Sequence, residues 1–147
     1  MKKFKNFINE TVIKLRGFGT SGPPSGQVDK FMSDLHATTK ENPFNSRVRV
    51  FNGNVGVHVS PMRNSVHIHD ISSYEPKSGA GTEALQHLTS LADKHNVRLV
   101  GTAKAYTSEG GRIGTSKRLK KWYTKHGFTA DHGDEEDGYD IRYQPKS

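Results

Sequence analysis

Residues 72–82, Ser72-Ser73-Tyr74-Glu75-Pro76-Lys77-Ser78-Gly79-Ala80-Gly81-Thr82, decide how this chain is read. A strand-like run at 65–71, with Val66 and Ile68 in alternation and a less regular end at Ile71, precedes them. Ala84, Leu85, Leu88, Leu91 and Ala92 follow at the helical period. The stretch is therefore a turn from a strand at 65–71 into a helix at 82–95. Gly79 and Gly81, one residue apart, let successive backbone N–H groups converge on an anion. The following helix aims its positive end and its unpaired N–H groups at the same point. Such a corner suits a pyrophosphate and needs no catalytic side chain. Lys77 can add a charge there, and the Thr82 hydroxyl can donate or accept at the helix start. This is not a Walker loop, because the G-K-[ST] ending is missing. It is not the dinucleotide fingerprint, because the third glycine is missing.

Toward the N-terminus the pattern has period two. Residues 47–51 and 54–60 alternate through Val48, Val50, Val55, Val57 and Val59, and Asn52-Gly53 between them is a hairpin turn. A second turn at 61–64 leads into 65–71, which makes an antiparallel meander. Before it, Val28, Phe31, Met32 and Leu35 mark one face of a helix over 27–40, capped by Ser25 and stopped by Pro43. A Gly- and Pro-punctuated loop at 19–26 separates that helix from an alternating strand at 11–18.

Toward the C-terminus, 97–105 reads as a buried strand and 108–115 as a Gly-rich loop. Residues 116–126 form a helix with Leu119, Trp122 and Tyr123 on one face, and Gly127 suits its left-handed end. A strand beginning at Phe128, an acidic turn at 133–138 and a last strand at 139–144 complete the chain. The helix crossing between 65–71 and 97–105 makes those two strands a parallel pair in a mixed sheet.

The chain has 147 residues, enough for one domain with one core. Apolar residues make up 31%, so the core is small. There are no cysteines, which excludes disulfides and thiolate metal sites. No apolar run approaches bilayer length, so neither a membrane span nor a membrane partner is expected, and the chain reads as soluble and intracellular. Net charge is +7, concentrated near the start and at 112–125. Such a balance attracts phosphates, in a cofactor or in nucleic acid, although any one cluster also reads as a solvated face.

The glycine turn after a meander, followed by helix, strand, helix and a Tyr-to-Gly-Phe ending, resembles the GNAT family of N-acetyltransferases from residue 11 to 144. Gly79, Ala80 and Gly81 match the family's pyrophosphate loop, while Pro76 stands where that loop usually has Arg or Gln. The resemblance implies an α+β fold, a mixed and mostly antiparallel sheet with flanking helices, and acetyl-CoA as co-substrate. It implies that Ile71 and Ser72 meet the pantetheine arm, and that Lys77, Ser78, Gly79, Ala80, Gly81 and Thr82 surround the diphosphate. Trp122-Tyr123-Thr124-Lys125-His126-Gly127-Phe128 resembles the segment in which a tyrosine protonates the departing thiolate, which assigns that role to Tyr123. A phenol near pKa 10 is chemically suited to it. The family often has Asn near the start of this helix; Ser116, seven residues before Tyr123, is the candidate CoA contact.

Amide formation needs a neutral amine and hence a base. The family's usual Glu aligns near His67, with His69 beside it and His58 on the preceding strand. Histidine is a competent base at neutral pH. His67 and His69 are expected on one strand face and Asp70 on the other. Three histidines also raise a metal site, but no carboxylate or further His joins them at ligand spacing, so none is expected.

Residues 1–10, MKKFKNFINE, resemble the cleavable capsid-targeting peptides of internal head proteins in T4-like phages, with Ile8-Asn9-Glu10 matching the cutting pattern. The domain would then comprise 11–147, and the resemblance implies a phage protein packaged in the virion and delivered to the host cytoplasm. The function expected is transfer of acetyl from acetyl-CoA to a primary amine of an unidentified acceptor. The alternative is a non-catalytic, basic phage internal protein that keeps the fold and binds nucleic acid.

Overall fold

The computed structural model describes residues 25–74, 79–105 and 115–146. Residues 1–10 with the targeting peptide expected there, the strand expected at 11–18, most of the 19–26 and 108–115 loops, and Lys77 and Ser78 lie outside the described residues.

The chain enters through helix α1 (Gly26–Thr38), whose first turn is capped by the Ser25 hydroxyl accepting from the Val28 N–H at 3.3 Å. The helix stops at Thr38, ahead of Pro43. The Thr38 and Thr39 hydroxyls donate back to the carbonyls of Asp34 (2.9 Å) and Leu35 (2.6 Å). The Arg49 guanidinium donates to the carbonyls of His36 and Thr39. Orphan carbonyls at the helix end are thus satisfied without a further turn.

Strands β1 (Lys40–Asn42), β2 (Asn45–Phe51), β3 (Val55–Pro61) and β4 (Ser65–Ser73) follow, with Asn52 and Gly53 both at positive φ in the β2–β3 hairpin. Helix α2 (Ala80–His95), strand β5 (Arg98–Ala103), helix α3 (Ser116–Lys125), and strands β6 (Thr129–Asp134) and β7 (Gly138–Tyr143) complete the order. The seven strands form one sheet, β1-β2-β3-β4-β5-β7-β6. Every contact is antiparallel except β4 with β5, which is parallel. This is the α+β architecture expected from the sequence, a mixed and mostly antiparallel sheet with flanking helices. The short β1 carries no hydrophobic alternation and was not expected.

One face of the sheet and all three described helices share one core. Val28, Phe31 and Leu35 from α1, and Leu85, Leu88 and Ala92 from α2, close on Val55, Val57, Val66, Ile68 and Leu99. Tyr123, Phe128, Ile141 and Tyr143 extend the core under α3. Phe31 is fully buried, so Phe31→Ala should cost about 3–5 kcal/mol. Polar bonds tie the helices on. His95 Nε2 meets Asp34 Oδ2 at 2.6 Å between α1 and α2, and the Tyr143 hydroxyl donates to Asp93 at 2.9 Å between β7 and α2. Alternation then leaves His58 of β3, His67 of β4 and Val100 of β5 on the opposite face, since partners in register point the same way.

Candidate functional site

The parallel pairing of β4 and β5 covers four positions only, from Ser65↔Arg98 to Ile68↔Gly101. Beyond them β4 continues to Ser73 and β5 to Ala103 without pairing to each other. The strands part at Gly101. A Cβ at that position would lie 2.7 Å from the Ile68 carbonyl oxygen, a contact no side chain tolerates. Glycine therefore permits the last close contact before the parting.

On the other side of β4, the same point carries a β-bulge. His58 pairs with Asp70 and Val59 with Ile68, which leaves His69 as the extra residue. The shift puts Asp70 opposite His58, on the histidine side of the sheet and not on the face expected from simple alternation. The three imidazoles form a ladder. His58 and His69 stack at 4.4 Å, and His67 and His69 at 4.3 Å. His69 also meets the Ser60 hydroxyl at 2.9 Å. Burial holds the pKa of His67 and of His69 below the usual histidine value, and mutual repulsion within the ladder adds to it. Both rings are therefore neutral at pH 7. The Ser72 hydroxyl donates to Asp70 Oδ2 at 2.5 Å. Among the described residues no His/Cys/Asp/Glu group has metal-site geometry.

The part of β4 beyond its pairing to β5 runs through Ile71 and Ser72, still paired to β3, and Gly79 is the N-cap of α2. Gly79 sits at φ 82°, in the left-handed region, and no side chain caps the helix. Among the described residues a Cβ built on Gly79 meets nothing within 4 Å, and one on Gly81 meets only Trp122 at 3.9 Å. The corner is open. Ala80 is buried beneath it. The Thr82 hydroxyl accepts from the Trp122 indole N–H at 3.0 Å, which fixes the first turn of α2 against α3.

Tyr123 lies on α3 beside that contact, 5% exposed, its ring packed edge-on against Trp122 and Phe128. Burial, reinforced by the nearby Asp70 carboxylate, pushes its phenol pKa well above the ordinary value, so it is neutral throughout the working pH range.

Ser116 has another role than the one expected. It has no exposed surface. Its hydroxyl donates to the Glu135 carbonyl at 2.9 Å and accepts from the Ala105 N–H at 3.0 Å. The Glu135 carboxylate accepts from the backbone N–H groups of Ser116 and Lys117, and the Thr115 hydroxyl caps Arg118. Ser116 thus anchors the start of α3 and does not face a ligand. The acidic turn after β6, read in the sequence as a hairpin tip, supplies the anion for this helix end. Its partner lies 19 residues away, and no local pattern announces it.

A second opening lies on the far side of β3. β2 pairs with β3 only from Phe51↔Val55 to Arg49↔Val57, so His58–Pro61 is unpaired toward β2. The gap is a cleft of about 580 Å³ whose polar lining includes Arg47, Arg49, His36, His58, Ser60 and His69.

No protein-family model matches the chain. No curated protein matches it by sequence. Among solved structures it is similar to the anti-CRISPR protein AcrVA5, with a TM-score of 0.51 and 17% identity over 65% of this chain and 95% of that one. It also aligns with a Bacteroides thetaiotaomicron protein named for the GNAT acetyltransferase family, with a TM-score of 0.47 and 12% identity over 97% of this chain and 82% of that one. At 17% identity the likeness to AcrVA5 is one of fold. Among the described residues no helix is long and apolar enough to cross a membrane.

Proposed function

We propose that the chain is an acetyl-CoA-dependent N-acetyltransferase acting on a primary amine. The observation that carries this reading is the parting of β4 from β5 beside a helix that starts on a left-handed glycine. A thioester arm can lie along the unpaired edge of β4, with Ile71 and Ser72 offering backbone groups to its amides. Backbone amides around Gly79, Ala80 and Gly81, with Thr82, then face the diphosphate, and Lys77 and Ser78 belong to the same proposed turn. The amine nitrogen attacks the thioester carbonyl carbon, the C–S bond breaks, and sulfur leaves as thiolate. Tyr123, buried and neutral, hydrogen-bonds that thiolate and gives it the phenol proton, which solvent then restores. His67 or His69, neutral at pH 7, takes the proton that the amine must lose.

The test is calorimetry of acetyl-CoA binding to wild type and to Gly81→Glu. A Cβ at 81 makes only an ordinary contact, so the substitution is sterically mild and acts through its charge. Loss of binding in the variant supports the site; equal affinity removes it.

A non-catalytic, nucleic-acid-binding reading, with a phage origin and virion packaging as first implied by residues 1–10, draws support from the exposed Lys117, Arg118, Lys121 and Lys125 of α3. It requires DNA affinity that falls steeply with salt and no acetyl transfer.

A further inference from the structure

We propose that the cleft between β2 and β3 is the acceptor subsite, and that it holds an oxyanion carried by the acceptor, a carboxylate or a phosphate. This rests on the acyltransfer reading for the word acceptor, but the anion site stands on its own geometry.

The lining is one-signed. Arg47, Arg49, His36, His58 and His69 are its titratable residues, and no carboxylate lines the cleft. Arg49 is held in place: its Nε donates to the Thr39 hydroxyl at 3.0 Å and its Nη2 to the carbonyls of His36 and Thr39. Of its five N–H donors, the two on Nη1 have no partner among the described residues. The Arg47 guanidinium has no hydrogen-bond or ion-pair partner among them either. One fixed and one uncommitted guanidinium, in a recess with donor imidazoles and the Ser60 hydroxyl, match the planar oxygens of an anion. Nothing in the described fold of the cleft uses the Arg47 charge.

Position ties the cleft to the chemistry. His69, the bulged residue, lines it and stacks on His67. The bulge adjoins Ile68, the last residue of β4 paired to β5. An acceptor anchored by its anion between β2 and β3 therefore extends its other end toward the imidazole ladder and the parting of β4 and β5. The substrate class is an amine that also carries an oxyanion, such as an amino acid or a phosphorylated amine.

The experiment uses the full chain and matched acceptors: propylamine against β-alanine, and ethanolamine against O-phosphoethanolamine. The anionic member of at least one pair should show a KM lower by about tenfold, the size of a charge-assisted pairing. Arg47→Gln should abolish that difference while leaving the KM for the neutral amine and the affinity for acetyl-CoA unchanged. Which pair responds distinguishes carboxylate from phosphate. Equal KM values within both pairs overturn the proposal, as does an acetyl-CoA affinity that falls in Arg47→Gln. If no amine is acetylated, titration with inorganic phosphate and with malonate still decides the anion site. An about tenfold weaker affinity in Arg47→Gln keeps the anion site while the acyltransfer reading fails. Identical binding to both proteins, or none to either, removes it.

Discussion

The indole N–H of Trp122 donates to the Thr82 hydroxyl at 3.0 Å, joining the middle of α3 to the first turn of α2. The two segments that suggested the fold from sequence, the glycine turn and the Trp-Tyr motif, are thereby in direct contact. Trp122→Phe keeps an aromatic ring and removes the donor. It should cost about 1 kcal/mol of stability and weaken acetyl-CoA binding severalfold, because the orphaned hydroxyl no longer fixes the helix start. Denaturant unfolding and calorimetry read the two effects. Unaltered affinity would show that this contact does not shape the corner.

Tyr123→Phe should lower kcat by about 10²-fold, the usual worth of one donor aimed at a developing anion. Burial keeps the phenol protonated at every practical pH. The loss should therefore be uniform from pH 6 to 9, with the shape of the pH–rate profile unchanged. A loss confined to high pH would mean that the phenol titrates and that its surroundings differ from those described.

His67 and His69 have pKa values below the free-histidine value, so the basic form persists into mildly acidic solution. The acid limb of kcat/KM should accordingly fall below about pH 6.5. His67→Gln and His69→Gln, made singly, separate the two as base. The one that removes the limb carries the role, and unchanged profiles in both exclude the ladder from proton transfer.

The same shifts bear on stability. A depressed histidine pKa means that the unfolded chain binds protons more readily than the folded one below about pH 6.5. Stability is then full above that pH and is lost as pH falls through the folded values. Burial lowers His36 and His87 as well, so the effects add. Tm should decline from pH 7 to pH 5, and less steeply in a His67→Gln/His69→Gln double variant. A double variant with the wild-type slope would place the proton uptake elsewhere.

Gly101→Ala should destabilise by about 1–3 kcal/mol, since a methyl cannot fit against the Ile68 carbonyl without moving backbone. Hydrogen exchange should show the amides of residues 65–68 and 98–101 losing protection first. A variant of wild-type stability would mean that the two strands adjust freely.

Much of this architecture is written locally. Asn52-Gly53 specifies its turn through two positive-φ positions, the Leu85–Leu88–Ala92 stripe specifies α2, and the crossover requires the parallel pair. What escaped the sequence depends on partners distant along the chain. Lys40–Asn42 is a strand only because β2 offers it an edge. His69 has no residue signature marking it as a bulge, yet its insertion turns Asp70 to the histidine side. Ser116 looks like a ligand contact until Glu135 claims it. Arg47 and Arg49 alternate with Val48 and Val50 along the chain, and only the early end of the β2–β3 pairing makes them a wall.

The Glu135 clasp on α3 carries one more consequence. A helix start already neutralised by the chain's own carboxylate is no decoy for a polyanionic nucleotide, whereas the N-cap of α2 is a glycine with no carboxylate of its own. On the acetyl-CoA reading, a long, flexible molecule with phosphates at one end would find its anchor at α2 and not at α3, so its heading along the sheet would be chosen before its reactive end arrives.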